Sequence, residues 1–104
     1  MIIERNEFRL KFGKAKEAIA IWKELLDATR EMGDKAPHMR MLTDLSGPAY
    51  TLILEMFLQN MTDINPKNYT WVTTPKYQEL YQRFIPLCES AERTYFKVEA
   101  EYNF

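Results

Sequence analysis

Hydrophobic and charged residues alternate along the first segment of the chain. The apolar set is Ile2, Phe8, Leu10 and Phe12, and the charged set is Arg5, Glu7, Arg9 and Lys11. Because successive side chains of a strand point to opposite faces, this pattern predicts a strand with one apolar and one charged face. Gly13 ends the alternation.

A helical period replaces the alternation from Lys14 to Met32. The apolar stripe consists of Ala15, Ala18, Ile19, Trp22, Leu25, Leu26, Thr29 and Met32. Spacings of three and four residues predict an amphipathic helix, and Gly33 is a suitable residue to end it. Ile21 and Ala28 lie off this stripe, so we expect them to form a second contact surface.

Two further strands are predicted over His38–Leu45 and Tyr50–Gln59. The turn-rich stretch 44–48, which contains Gly47 and Pro48, joins them into a hairpin. Met39 and Met41 share one face of the first of these strands. Leu52, Leu54 and Met56 share one face of the second. The stretch from Asn60 to Thr74 is interpreted as a short helical turn that packs on the core.

A second helix is predicted to begin at Thr74, because a hydroxyl cap followed by proline is a common helix start. Its apolar stripe continues to Leu87 and Cys88, with a kink expected at Pro86. Alternation over 92–102 predicts a last strand, in which Phe96 and Val98 face the helices.

The element order is therefore β-α-β-β-α-β, which is the ferredoxin-like plan of the α+β class. Right-handed crossovers place both helices on one face of a four-stranded antiparallel sheet. A chain of 104 residues without a linker or repeat corresponds to a single domain, residues 1–104.

The opposite face of the sheet carries both charged and apolar residues. It is predicted to hold Arg5, Glu7, Arg9, Lys11, Arg40, Leu42, Ile53, Glu55, Phe57, Tyr95, Lys97, Glu99 and Glu101. A solvated face with cross-strand ion pairs is one interpretation. Because four of these side chains are apolar or aromatic, we favour a second sheet packed over the face, with an amphipathic cavity between the sheets.

Composition excludes several classes of function. The formal net charge is −1 and the pI is about 5.8, so no basic footprint for nucleic acid or an anionic membrane is present. A single cysteine gives no intrachain disulfide. With no long apolar run and no signal-like N-terminal segment, the sequence predicts a small cytoplasmic domain.

Specific stretches resemble a known family. Residues 71–90, followed by Thr94-Tyr95-Phe96, are similar to small NIPSNAP-like proteins, as are Ile2–Arg5 and Gly13-Lys14-Ala15. These proteins belong to the dimeric α+β barrel superfamily, which also includes proteins related to antibiotic biosynthesis monooxygenases. The resemblance implies a homodimer in which two sheets face each other and close a barrel. It does not imply one chemistry, because members include cofactor-free monooxygenases, haem-degrading enzymes and ligand-binding proteins.

No cofactor or metal is expected. The only histidine, His38, and the only cysteine, Cys88, are far apart in sequence and form no metal-ligand motif. Neither predicted helix carries the histidine that haem-degrading relatives use as an iron ligand. Asn68 and Trp71 are of the types that cofactor-free monooxygenases place near their pockets, but their positions cannot be matched residue by residue.

The candidate pocket residues lie mainly on the face opposite the helices. They are Arg9, Arg40, Glu55, Tyr95 and Lys97, with Trp71 closing one end. An anionic or aromatic small molecule is the expected guest, and ion pairs that fill the barrel are the alternative. Three roles stay open: a binding or purely structural protein, a cofactor-independent monooxygenase for an acidic aromatic substrate, and a subunit that assembles through Ile21 and Ala28.

Overall fold

A computed structural model describes residues 1–31, 38–60 and 74–104. The elements are β1 (Ile2–Leu10), α1 (Ala15–Arg30), β2 (His38–Thr43), β3 (Thr51–Leu58), α2 (Pro75–Phe84), a short 3-10 helix (Ile85–Leu87) and β4 (Cys88–Lys97). The strands pair in the order β2-β3-β1-β4, and all three pairings are antiparallel. The predicted ferredoxin-like α+β fold is confirmed. No described helix is long and apolar enough to span a membrane.

The hydrophobic core lies between the two helices and the central strands β1 and β3. Phe8 contacts both helices, with its ring centroid 6.1 Å from that of Trp22 and 4.9 Å from that of Phe84. Leu52 and Leu54 of β3 complete this layer from the sheet side. The predicted parity of β1 and β3 is therefore correct along most of their length. One end differs: Phe12 lies beyond β1, is 86% exposed and does not join the core.

Helix α1 agrees with its predicted stripe, with one correction. Ile21, which was assigned to a second contact surface, is 2% exposed and belongs to the core. On the helix circumference Ile21 lies next to Leu25, on the side away from Ala18, so the sheet-facing stripe is wider than the pattern indicated. Ala28 is half-buried. The hypothesis of assembly through these two residues loses its main support.

The second helix begins as predicted and ends earlier. The Thr74 side chain accepts a hydrogen bond from the backbone N–H of Tyr77, and Pro75 occupies the first turn. The predicted kink at Pro86 is wrong, because α2 ends at Phe84 and Pro86 lies in the 3-10 helix. Proline cannot donate the helical hydrogen bond, so the chain tightens and leaves the helix. Strand β4 then starts at Cys88, four residues before the predicted start.

The face assignment of the last strand was also wrong. Phe96 pairs with Ile3 and lies on the face away from the helices, whereas Tyr95 and Lys97 lie on the helix side. Positions 89–97 are all exposed, because β4 is an edge strand beyond the cover of the two helices. With no buried side, its hydrophobic pattern carried no information on which face is which. Val98 lies beyond the strand.

Candidate functional site

The face of the sheet away from the helices, here called the open face, is organised in rows that run across the strands. The register aligns His38, Phe57, Ile3 and Phe96 in one row, which we call the aromatic row. The next row contains Arg40, Glu55, Arg5 and Thr94. A third row contains Leu42, Ile53, Glu7 and Glu92, and a fourth contains Thr51, Arg9 and Ser90.

A triad of Arg5, Glu55 and Arg40 occupies the second row. Arg5 donates from Nε and Nη2 to Glu55 Oε2 at 3.1 and 2.7 Å. Arg40 donates from Nε to Glu55 Oε1 at 2.9 Å, and its Nη2 donates to the same oxygen. Each arginine therefore takes one carboxylate oxygen. The Glu55 side chain is 1% exposed, whereas Arg5 and Arg40 are 41% and 56% exposed.

The two arginines decide the charge state of the buried carboxylate. Burial alone would raise the pKa of Glu55, because it disfavours the charged form. The hydrogen bonds and the positive charges of Arg5 and Arg40 outweigh that effect and hold the pKa below its usual value. Glu55 is thus ionised at neutral pH and is poorly suited to act as a general base.

Stability should therefore fall in acid through this triad. Because the pKa of Glu55 is lower in the folded than in the unfolded state, the unfolded chain binds more protons, and the free energy of unfolding decreases as the pH drops below about 4.5. We expect urea midpoints at pH 6 and pH 3.5 to differ more in the wild type than in the Arg5→Met/Glu55→Met/Arg40→Met variant. Equal differences would contradict this role of Glu55.

The aromatic row flanks the triad. The Arg5 guanidinium lies 5.3 Å from the centroid of the Phe96 ring, and the Arg40 guanidinium lies 5.6 Å from that of Phe57. The His38 ring packs on Phe57 at 4.8 Å. These contacts hold the guanidinium planes against ring faces, which restricts the conformations of both arginines. Apolar and cationic groups therefore adjoin each other on the open face.

A groove of about 410 Å³ opens at the other end of the open face, around Arg9. Its lining includes the carboxylates of Glu7, Asp44 and Glu92. Glu7 and Glu92 lie directly opposite each other on neighbouring strands. Arg9 Nη1 donates to the carbonyl of Ala49 at 2.8 Å. The groove therefore carries more negative than positive charge.

The structure brings together only part of the predicted pocket. Arg40 and Glu55 belong to the triad, and Arg9 lies two rows away on the same face. Tyr95 and Lys97 are on the opposite side of the sheet, as the corrected face of β4 requires. Trp71 and Asn68 lie outside the described residues. The role of these residues in binding stays a prediction.

Tyr95 has a clear role on the helix side. Its hydroxyl donates to Oε1 of Glu4 at 2.9 Å, and Arg93 Nε lies 3.6 Å from the same oxygen. Burial, and then the contact with Glu4, raises the pKa of Tyr95. Glu4 is itself buried, and these partners satisfy it while tying the edge strand β4 to β1. Glu4 was not predicted as a site residue, because only the apolar residues at its parity indicated the face that packs on the helices.

Comparison with solved structures identifies the same fold in other proteins. An uncharacterised NIPSNAP domain protein from Burkholderia xenovorans superposes with a TM-score of 0.80 at 17% identity, covering 100% of both chains. A NIPSNAP family protein from Agrobacterium tumefaciens gives 0.80 at 18% identity, covering 96% of this chain and 88% of the other. The chain has the fold of NIPSNAP domain proteins. The predicted resemblance is confirmed at that level.

A second group of similar structures carries a functional description. A candidate antibiotic biosynthesis monooxygenase from Deinococcus radiodurans has a TM-score of 0.70 at 16% identity, covering 100% of this chain and 98% of the other. No family model matches the sequence. No curated protein matches it either. At such low identities the likeness establishes the fold and leaves the function open.

Neither His38 nor Cys88 lies in a cluster of metal-binding side chains in the described parts of the chain. No group of three or more histidine, cysteine or acidic side chains there has the arrangement of a metal site. Cys88 is half-buried, its Sγ lies 3.9 Å from the carbonyl of Phe84, and burial raises the pKa of its thiol. A raised thiol pKa disfavours the thiolate that a nucleophile or metal ligand requires.

Two members of the site are absent from the predicted pocket residues. Arg5 was predicted on the open face without a binding role, and Phe96 was predicted on the helix face. Both meet Glu55 or its partners through the register of β1 with its neighbours. Arg5 shares the parity of Arg9, which was predicted to line the pocket. That parity, together with the alignment of Arg5 across from Glu55, would have indicated Arg5 as a member of the site.

Proposed function

We propose that this protein is a homodimeric α+β barrel that holds a small molecule between two open faces. The observation that carries the proposal is the composition of the open face. No described element covers the apolar side chains of this face. As a result Ile3, Ile53 and Phe57 are only half-buried, and Phe96 is 45% exposed. A sheet face that stays in water is normally polar, and exposed apolar patches of this kind mark contact surfaces.

A second copy of the chain is the occupant that this face fits best. A two-fold interface uses the same patch on both subunits, so the patch must complement itself. The open face meets that condition, because it contains Arg9 in the fourth row and the glutamates Glu7 and Glu92 in the third, whose opposite charges would face each other across a two-fold axis. The homodimer is also what the resemblance to NIPSNAP-like proteins implies.

The groove around Arg9 supports the binding role. Its volume of about 410 Å³ is within the range of small-molecule sites. It opens onto the open face, and packed sheets lie about 10 Å apart, so a second sheet would close it. Thr51 and Ser90 in its lining supply hydroxyl groups beside the carboxylates. A homodimer would contain two such grooves, one from each copy.

A cofactor-independent monooxygenase is the second candidate. The observation in its favour is that His38 lies on the open face, packed against Phe57. In a closed barrel this imidazole would lie between the two sheets, in the aromatic row, where it would be placed to accept a proton from an acidic substrate bound there. The likeness to candidate monooxygenases is consistent with this role.

Sedimentation equilibrium and ligand screening test the proposal together. At micromolar concentration the protein should sediment at twice the chain mass of 12.4 kDa. In a thermal-shift screen of aromatic acids, enols and quinols, at least one compound should then raise the melting temperature of the protein. A folded monomer would overturn the homodimer, and a dimer stabilised by none of these compounds would favour a structural role.

Oxygen uptake separates the two binding roles. Consumption of oxygen by the protein together with a compound from the screen, without added flavin or metal, would favour the monooxygenase. Loss of that consumption in a His38→Gln variant would assign the proton transfer to His38. Binding without turnover would favour the ligand-binding protein.

A further inference from the structure

We propose that the triad and the aromatic row together form a binding site for a planar aromatic carboxylate. This inference rests on the proposed function, because the second sheet is needed to close the site. It assigns the chemical class of the ligand and places it at the centre of the open face, away from the groove around Arg9.

The first argument is the unbalanced charge of the triad. Two guanidinium groups and one carboxylate sum to a net charge of +1. Both oxygens of Glu55 are engaged, one by each arginine. The remaining positive charge is therefore not compensated within the triad, and an added anion would neutralise it.

The second argument is the hydrogen-bonding capacity that remains. Arg5 and Arg40 each use Nε and Nη2 on Glu55, and Nη1 of each has no partner among the described residues. On an exposed face water supplies the acceptors. Once a second sheet excludes water, these N–H groups need an acceptor, because a buried unpaired donor is costly. A carboxylate offers two acceptor oxygens and the missing negative charge.

The third argument is the apolar surface beside the triad. The aromatic row is displaced from the triad by two residues along each strand, about 7 Å. This distance is close to the full length of a carboxylate attached directly to a six-membered ring, measured from its oxygens to the far edge of the ring. A ligand whose carboxylate meets the arginines therefore extends its ring toward Ile3, between Phe57 and Phe96.

Other ligand classes fit less well. A cation is repelled by the net positive charge, and a neutral aromatic leaves the arginine N–H groups without an acceptor. An inorganic anion such as sulfate satisfies the charge but leaves the aromatic row uncovered. The groove around Arg9 repels anions through its surplus of carboxylates.

Isothermal titration calorimetry with benzoate tests the site directly. The wild-type dimer should bind benzoate at least tenfold more tightly than benzamide, which has the same shape without the charge, and more tightly than sulfate. The Nε–Hε NMR signals of Arg5 and Arg40 should shift on titration, while that of Arg93, on the other side of the sheet, should not. Benzamide or sulfate binding as tight as that of benzoate would overturn the inference.

A matched pair of variants assigns the charge to the triad. Arg40→Gln leaves Glu55 paired with Arg5, so the fold is retained, and benzoate should bind about tenfold more weakly. Arg93→Gln removes an arginine from the helix side and should leave benzoate affinity unchanged. Equal affinities for Arg40→Gln and the wild type would overturn the inference.

Sedimentation of the same samples distinguishes the two proposals. A dimer that does not bind benzoate would overturn this inference alone and leave the proposed homodimer intact. A folded monomer would overturn the proposed function and, with it, the closed site that this inference requires.

Discussion

Replacing Arg5 and Arg40 together with methionine should lower the free energy of unfolding at pH 7 by about 3–5 kcal/mol, measured by urea denaturation. The physical reason is the burial of Glu55, whose side chain is 1% exposed. With both counter-ions removed, the carboxylate must either stay charged without a partner or take up a proton. Both alternatives raise the free energy of the folded state and leave that of the unfolded state unchanged, because the carboxylate of the unfolded chain stays in water.

The triple variant, with Glu55→Met added, is the control. It removes the unpaired charge and fills a similar volume with apolar side chains, so most of the lost stability should return. In the double variant the pKa of Glu55 should rise above its unfolded value, since desolvation is then uncompensated. The loss should therefore shrink as the pH falls below about 5. A double variant as stable as the wild type would show that Arg5 and Arg40 do not stabilise a buried charge on Glu55.

The central elements were predictable because each has a buried face. The stripe of α1 and the parity of β1 and β3 are imposed by contacts with Phe8, Leu52 and Leu54, so the hydrophobic pattern reflects them directly. The edge strand β4 was misassigned for the opposite reason. Positions 89–97 are exposed on both faces, and a strand with no buried side has no pattern that fixes its parity.

The candidate site was predictable only in part, because it depends on register. Arg5, Arg40 and Glu55 were all placed on the open face by parity. That they meet depends on Arg5 lying across from Glu55, and Glu55 across from Arg40. Parity fixes the face but permits shifts of two residues along the strand, and each shift would give different ion pairs. The pairing emerges only when the hairpin and the core are assembled.

Phe57→Asp should weaken the homodimer by about 100-fold or more, so that at micromolar concentration the sedimenting mass falls to that of the 12.4 kDa chain. Phe57 lies on the open face, where it packs against His38 and Arg40 and not against the helices. In the proposed dimer the new carboxylate would be buried at the interface. A buried charge without a partner is strongly unfavourable, whereas the same charge in the free monomer stays in water.

The matched control is Ala20→Asp, which adds the same charge on the exposed side of α1. This variant should remain a dimer, because its carboxylate stays in water in both states. Far-ultraviolet circular dichroism of Phe57→Asp should match the wild type, since the hydrophobic core on the helix side is unchanged. If both variants dissociate equally, the effect arises from added charge in general. If Phe57→Asp remains dimeric and folded, the two copies meet through a different surface, and the open face would need another partner.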